Sequence, residues 1–206
     1  MKKNVFITKL LGASICLFLL APAALNAQEK MPITTSSEEA REVFIEGRGQ
    51  ADMLNISKSI NLLDRAIELD PEFAMAYLFL SFSEGGGTGF ASEPLNKAID
   101  FSHKVSEGER QMIHFIKAIK TGNKKAGEIH REALLELHPQ DERVQLWIGY
   151  SWFNQGKYRK ALTHFKQAKR LNEAFHPAYN ILGYTYMNLG KPEKAEEYFK
   201  AYLRML

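Results

Sequence analysis

The side chains in this chain of 206 residues best suited to acid–base or metal chemistry are six histidines: His103, His114, His130, His138, His164 and His176. A helical zinc site needs two of them one turn apart, as in H-E-x-x-H, so that both rings reach one ion. No such pair occurs. His130 and His138 are eight residues apart and would sit about 80° out of register on one helix. A G-x-S-x-G nucleophile elbow is also missing. The single cysteine, Cys16, falls in a segment expected to be removed, which leaves no thiol nucleophile. The stretch Ser83-Glu84-Gly85-Gly86-Gly87-Thr88-Gly89 has the glycines of a phosphate loop, but Phe90-Ala91 stand where Lys and Ser or Thr are needed. Glycine at this density does not hold a helix, so the stretch reads as a lengthened turn. Acidic residues such as Glu193 and Glu197 are spaced along helices beside lysines, as solvated faces require. These residues imply no catalysis, no cofactor and no metal.

Residues 1–27 have the order of a secretory signal peptide. Lys2, Lys3 and Lys9 precede an apolar run over 10–20, and Pro22 and small residues lead to Leu25-Asn26-Ala27. The run is short for a hydrocarbon core of ~30 Å, so cleavage before Gln28 is expected, with no membrane span afterwards. The expected location is outside the cytoplasm, periplasmic or extracellular. Ile15 precedes Cys16 where a lipoprotein site wants a small residue, so Cys16 leaves with the signal. The mature chain then has 179 residues, with 24 basic and 24 acidic, and no cysteine. A net charge of zero gives no attraction to nucleic acid or to an anionic membrane. Disulfide stapling is excluded.

The elements that must position any site are legible in a repeat. Tyr179, Leu182, Gly183 and Tyr186 fall at W-x2-L-G-x2-Y spacing, and Ala195 and Phe199 follow at A-x3-F. One period earlier stand Ile148, Gly149, Trp152, Ala161, Phe165 and Ala168. Gly149 to Gly183, Ala161 to Ala195 and Phe165 to Phe199 are each 34 apart, as are Gly122, Gly156 and Gly190. Small residues allow two antiparallel helices to cross closely, and aromatics fill the space beside them. Gly190 ends one helix and Lys191-Pro192 opens the next. This pattern resembles the tetratricopeptide repeat (TPR), a helix–turn–helix of about 34 residues.

The resemblance covers nearly all of the chain after the signal. It implies an all-α fold, an α-solenoid of about five antiparallel TPR-like helix pairs over 38–206. The pairs are expected near 39–71, 73–105, 107–139, 142–173 and 176–206, after a flexible N-terminal tail at 28–37. The S-x-x-E of Ser36-Ser37-Glu38-Glu39 starts the first helix. The first pair lacks the turn glycine. The third is divergent: Gly127 takes the small-residue site, Arg131 stands where Phe is expected and Ala118 where Tyr is. A one-residue slip using Ala126, His130 and Ala133 fits the third pair nearly as well.

The resemblance also implies a function. First helices of TPR pairs line a concave face that holds peptides or proteins. Helical spacing puts Leu78 and Phe82, then Arg143, Tyr150, Phe153 and Asn154, then Asn180, Tyr184, Met187 and Asn188 on the stripe facing that groove. Aromatics, Met and Arg are what binding hot spots use. The Lys/Asn/Arg set of the chaperone-binding carboxylate clamp is absent from these positions. The expected protein is a non-catalytic interaction module for a peptide or protein. The alternative is a self-associating assembly subunit, a homo-oligomer joined through Tyr198, Tyr202, Leu203 and Leu206 of the uncapped last pair.

Overall fold

A computed structural model describes residues 30–83 and 92–206. The expected signal segment 1–27 and the glycine stretch 85–89 lie outside the described residues. The described residues form ten α-helices and no strand. The first pair is α1 (Glu38–Asp52) with α2 (Ile56–Leu69), and the second is α3 (Ala74–Ser83) with α4 (Glu93–Asp100). A 3₁₀ turn, Ser102–Lys104, leads to α5 (Glu107–Lys120) and α6 (Lys124–Leu137). Then come α7 (Glu142–Phe153) with α8 (Tyr158–Leu171), and α9 (His176–Asn188) with α10 (Pro192–Leu203). Each helix packs most heavily against its pair partner, which makes the fold an all-α solenoid of five antiparallel pairs.

Local chemistry sets the boundaries. Ser37 caps α1 by accepting from Ala40 N–H, and Asp141 caps α7 by accepting from Arg143 and Val144 N–H. Ser106 and Glu109 form a reciprocal capping box on α5. Three turns inside pairs carry glycine in the left-handed region, Gly122, Gly156 and Gly190 at φ 68°, 71° and 68°. After each, an N–H folds back onto the preceding helix: Asn123 to Ala118 O, Lys157 to Trp152 O, Lys191 to Tyr186 O. The first pair makes the same turn without glycine. Leu54 holds φ 62°, and Asn55 N–H reaches Gln50 O.

The small–large pairing across each crossing is physical. A Cβ on Gly149 would lie 2.4 Å from the Phe165 ring, and one on Gly183 2.4 Å from Phe199. In the third pair the arrangement is inverted. Phe115 occupies the glycine position and is buried, while Arg131 turns out over the Trp152 ring, 4.4 Å from its centre. The repeat frame nevertheless persists there without a slip. His130 Nδ1 lies 2.6 Å from Gln111 Oε1, and His164 Nδ1 lies 2.8 Å from Gln145 Oε1 one period later. The same places in the fifth pair hold Tyr179 and Tyr198, with ring centres 6.3 Å apart. A second recurrent bond fixes three of the first helices, α3, α7 and α9, to the loop before them: Tyr77 to Pro71 O, Gln145 to Pro139 O and Tyr179 to Glu173 O.

One continuous core runs the length of the solenoid, through Phe44, Phe73, Leu95, Met112, Ile148, Phe165 and Leu182. The joints between pairs are uneven. α2 packs broadly on α3, and α8 on α9, whereas α4 meets α5 and α6 meets α7 sparsely.

The expectation of a flexible tail at 28–37 is corrected over its described part. Residues 30–36 are an extended strap laid across the starts of the later pairs, with Met31 and Ile33 packed against the core. Buried carboxylates at Asp70, Glu109 and Asp141 need hydrogen-bond donors, and the strap supplies them.

Candidate functional site

The first helices of four pairs converge on a cavity of about 140 Å³. The end of α1 and its turn contribute Ala51, Asp52 and Leu54, and α3 contributes Phe79 and Phe82. From α7 come Arg143, Leu146, Trp147 and Tyr150, and from α9 Pro177 and Asn180. The aromatic walls are continuous. Phe82 stacks on Trp147 at 4.4 Å, Trp147 meets Tyr150 at 5.6 Å, and Tyr150 meets Phe165 edge-on at 5.5 Å. Lys120 of α5 sits at the rim, bonded to Ser81 O and 5.5 Å above the Phe82 ring.

Charge enters the cavity as a compensated cluster. Both Arg143 Nη atoms donate to the Asp52 carboxylate, and the guanidinium also lies 4.9 Å from the Phe175 ring centre. Arg48 stands beside this pair. Its own burial first, and then the like charge of Arg143, pull its guanidinium down to about 10, against the attraction of Asp52, Asp141 and Glu142. Burial pushes the Tyr150 hydroxyl up to about 12, and Asp52 and Tyr202 add to the effect. Tyr150, one of the lining residues, therefore keeps its hydroxyl neutral at any ordinary pH.

The stripe read from the sequence divides on the structure. Phe82, Arg143, Tyr150 and Asn180 line the cavity. Leu78 does not belong to the groove: it is 1 % exposed, because α3 turns that side into the core. Phe153 points into its own pair, against Tyr158 at 5.2 Å, and Asn154 lies beyond it in the turn, outside the cavity lining. Tyr184 and Met187 lie further along α9 and are 52 % and 54 % exposed, with Asn188 beside them bonded to Tyr184 O. Arg143, expected on the stripe facing the groove, lines the cavity but is paired with Asp52.

The sequence reading did not name Ala51, Asp52, Leu54, Phe79, Trp147 or Pro177, and three of these shape the site most. Trp147 is the stacking partner of Phe82, Asp52 holds Arg143, and Leu54 is 58 % exposed at the cavity edge. For Leu54 a signal existed, since it occupies the frame position that glycine fills at Gly122, Gly156 and Gly190. For Asp52 and Trp147 none did, because their partners come from other pairs.

The histidines are structural neighbours. His114 and His130 stack with ring centres 5.6 Å apart; burial lowers both, and for His114 the proximity of His130 adds to it. Among the described residues no group of three or more His, Cys, Asp or Glu is disposed to hold a metal. No helix of the described residues is long and apolar enough to cross a membrane.

The tetratricopeptide-repeat family matches residues 143–172 and again 176–205, the fourth and fifth pairs. No curated protein sequence matches the chain. Among solved structures, MamA is 18 % identical over 77 % of this chain and 93 % of its own, with a TM-score of 0.48. YrrB, a TPR protein with an unusual peptide-binding site, is 19 % identical over 81 % of this chain and 86 % of its own, with a TM-score of 0.47. The Cut9–Hcn1 hetero-tetramer of the APC/C is 18 % identical over 81 % of this chain and 33 % of its own, with a TM-score of 0.50. At this identity the last likeness concerns the fold alone.

Proposed function

We infer the function of this tetratricopeptide-repeat protein from its concave face: it is a non-catalytic module that holds a peptide or protein partner there, in an exported setting. The observation that carries the reading is the aromatic cavity at the convergence of α1, α3, α7 and α9, with Leu54 exposed at its edge and Tyr184 and Met187 exposed further along α9. Apolar groups left open beside a concave site are the usual mark of a recognition surface. Asn180 supplies an amide for a partner's main chain. The exported setting rests on the basic and apolar order of residues 1–27.

The test is a photo-crosslinker at Met187, with an outer-face control at Thr163, in protein purified from its native host. A protein captured from Met187 alone is then bound in vitro to the wild type and to a Tyr184→Ala/Met187→Glu variant. A loss of affinity of about tenfold or more in the folded variant supports the groove. Equal affinity sinks it.

Self-association is the second reading. Leu203 and Leu206 at the end of α10 are exposed. Tyr198 and Tyr202 do not share that surface: Tyr198 stacks on Tyr186 at 5.4 Å and Tyr202 is buried. Sedimentation at micromolar concentration decides it, with a dimer that Leu203→Glu dissolves as the supporting result and a monomer as the opposing one.

A further inference from the structure

Three buried acidic residues stand at the starts of three successive pairs: Asp70 before α3, Glu109 in the first turn of α5 and Asp141 before α7. Each places one carboxylate oxygen on its own turn, and at Glu109 that oxygen also accepts from the Thr34 hydroxyl of the strap. Asp70 Oδ1 accepts from Glu72 N–H at 3.2 Å, Glu109 Oε2 from Ser106 N–H at 3.0 Å, and Asp141 Oδ1 from Arg143 N–H at 2.8 Å. The other oxygen faces away from the helix and holds the strap. Asp141 Oδ2 accepts from Met31 N–H at 2.9 Å, Glu109 Oε1 from Thr34 N–H at 2.8 Å, and Asp70 Oδ2 from Ser36 N–H at 2.9 Å.

The outward oxygens therefore read main-chain N–H groups, which every residue but proline carries. They recognise an extended peptide before they recognise any side chain. Preference comes from additions: the Thr34 hydroxyl donates to Glu109, the Thr35 hydroxyl to Asp70, and Lys30 pairs with Glu142 at 2.9 Å. The row also needs an occupant. Glu109 is 0 % exposed, and among the described residues Thr34 N–H is the one donor to its Oε1. A buried carboxylate oxygen with no donor is costly, so an empty row is disfavoured.

We propose that this row is a peptide-binding site separate from the concave face, with residues 30–36 as its ligand, bound in cis here and exchangeable with the same segment of a second copy. The grip combines hydrogen bonds and an ion pair with the apolar contacts of Met31 and Ile33, and the strap joins α1 through Ser36 and Ser37. A strap from a second copy restores every one of these bonds, so exchange leaves no group unpaired.

Two experiments test it. A chain beginning at Ser37 is titrated with a synthetic peptide of residues 28–36. Saturable one-to-one binding is expected, weakened about tenfold when Thr34 is replaced by proline, which removes both the N–H and the hydroxyl that Glu109 accepts from, and weakened less by Thr34→Val, which removes the hydroxyl alone. No binding by a shortened chain that keeps its helical circular dichroism overturns the proposal, and so does equal binding of the Thr34→Pro peptide. The second experiment uses full-length copies and does not depend on how the shortened chain folds. In a Cys16→Ser background, copies carrying Lys30→Cys are mixed with copies carrying Glu142→Cys and a bis-maleimide long enough to span the two replaced side chains, beside a double variant that reports the cis contact. Cross-linked dimers in the mixture support exchange. A cis bridge in the double variant with no mixed dimer overturns exchange, and absence of the cis bridge overturns the seating of the strap.

Discussion

Arg143, in the first turn of α7, grips the carboxylate of Asp52, at the end of α1, from 91 positions away in the chain. The guanidinium fork meets both carboxylate oxygens, and the pair is largely sheltered from solvent. It ties the first pair to the fourth across the concave face. Removing one partner leaves the other charge half-buried and unpaired. Asp52→Ala is therefore expected to lower stability by about 1–3 kcal/mol in urea denaturation. Trp147 emission should shift to the red as the cavity opens. An unchanged midpoint and spectrum would show that the closure is held elsewhere.

Leu54 adopts a backbone conformation, φ 62°, that disfavours any residue with a Cβ. Glycine would relieve that strain at some entropic cost to folding. A net gain of about 0.5–1 kcal/mol is expected for Leu54→Gly, read as a rise in the urea midpoint. The reverse change at an equivalent turn, Gly156→Ala, should cost about 1–2 kcal/mol. If Leu54 is a contact for a partner, the stabilised variant will bind that partner less tightly, a trade of stability against function.

Two helical glycines should respond in opposite senses to the same added methyl. At Gly183 the new Cβ would lie 2.4 Å from the Phe199 ring, so Gly183→Ala is expected to destabilise by about 1–3 kcal/mol. At Gly49, inside α1, nothing lies within 4 Å. Gly49→Ala should stabilise by about 0.5–1 kcal/mol through helix propensity. Thermal denaturation of the two variants side by side checks both signs.

Acid should weaken the strap. Burial by itself would raise the Asp70 carboxyl, but hydrogen bonds from Thr35, Ser36 and Glu72 outweigh it and hold it below its ordinary 3.8. At Glu142 burial again opposes, while Lys30 and Asn172 hold the carboxyl below 4.5. A carboxylate depressed in the folded state adds stability above its unfolded value and loses it as pH falls through the folded one. Stability should thus be flat above about pH 5 and decline below about 4.5, first through Glu142 and then Asp70. Glu142→Gln should remove the first part of that decline. A pH series of urea midpoints with and without Glu142→Gln makes the comparison.

Much of the fold was legible because each helix pair solves the same local problem. Gly149 and Gly183 had to face Phe165 and Phe199, and the turn glycines had to recur in step, whatever the rest of the chain did. The third pair was harder to read because Phe115 and Arg131 invert the usual sizes, and its frame is fixed by the Gly122 turn and by the Gln111–His130 bond, matching Gln145–His164. The groove stripe was half legible. Helical spacing put Phe82, Arg143, Tyr150 and Asn180 on the inner face, but it could not tell that Leu78 would be covered or Arg143 already paired.

The sequence by itself determined the all-helical, paired architecture and the direction in which each pair turns. Those depend on caps, turns and crossings set by residues close together in the chain, repeated at one period. Tertiary structure alone decided the strap, the cavity and the pairing of Arg143. Their contacts join residues 110, 75 and 91 positions apart, as Met31 with Asp141, Thr34 with Glu109 and Arg143 with Asp52. No local period encodes such distances. They depend on how far four pairs have curved by the time the first meets the fourth, and that curvature is the sum of every joint between them.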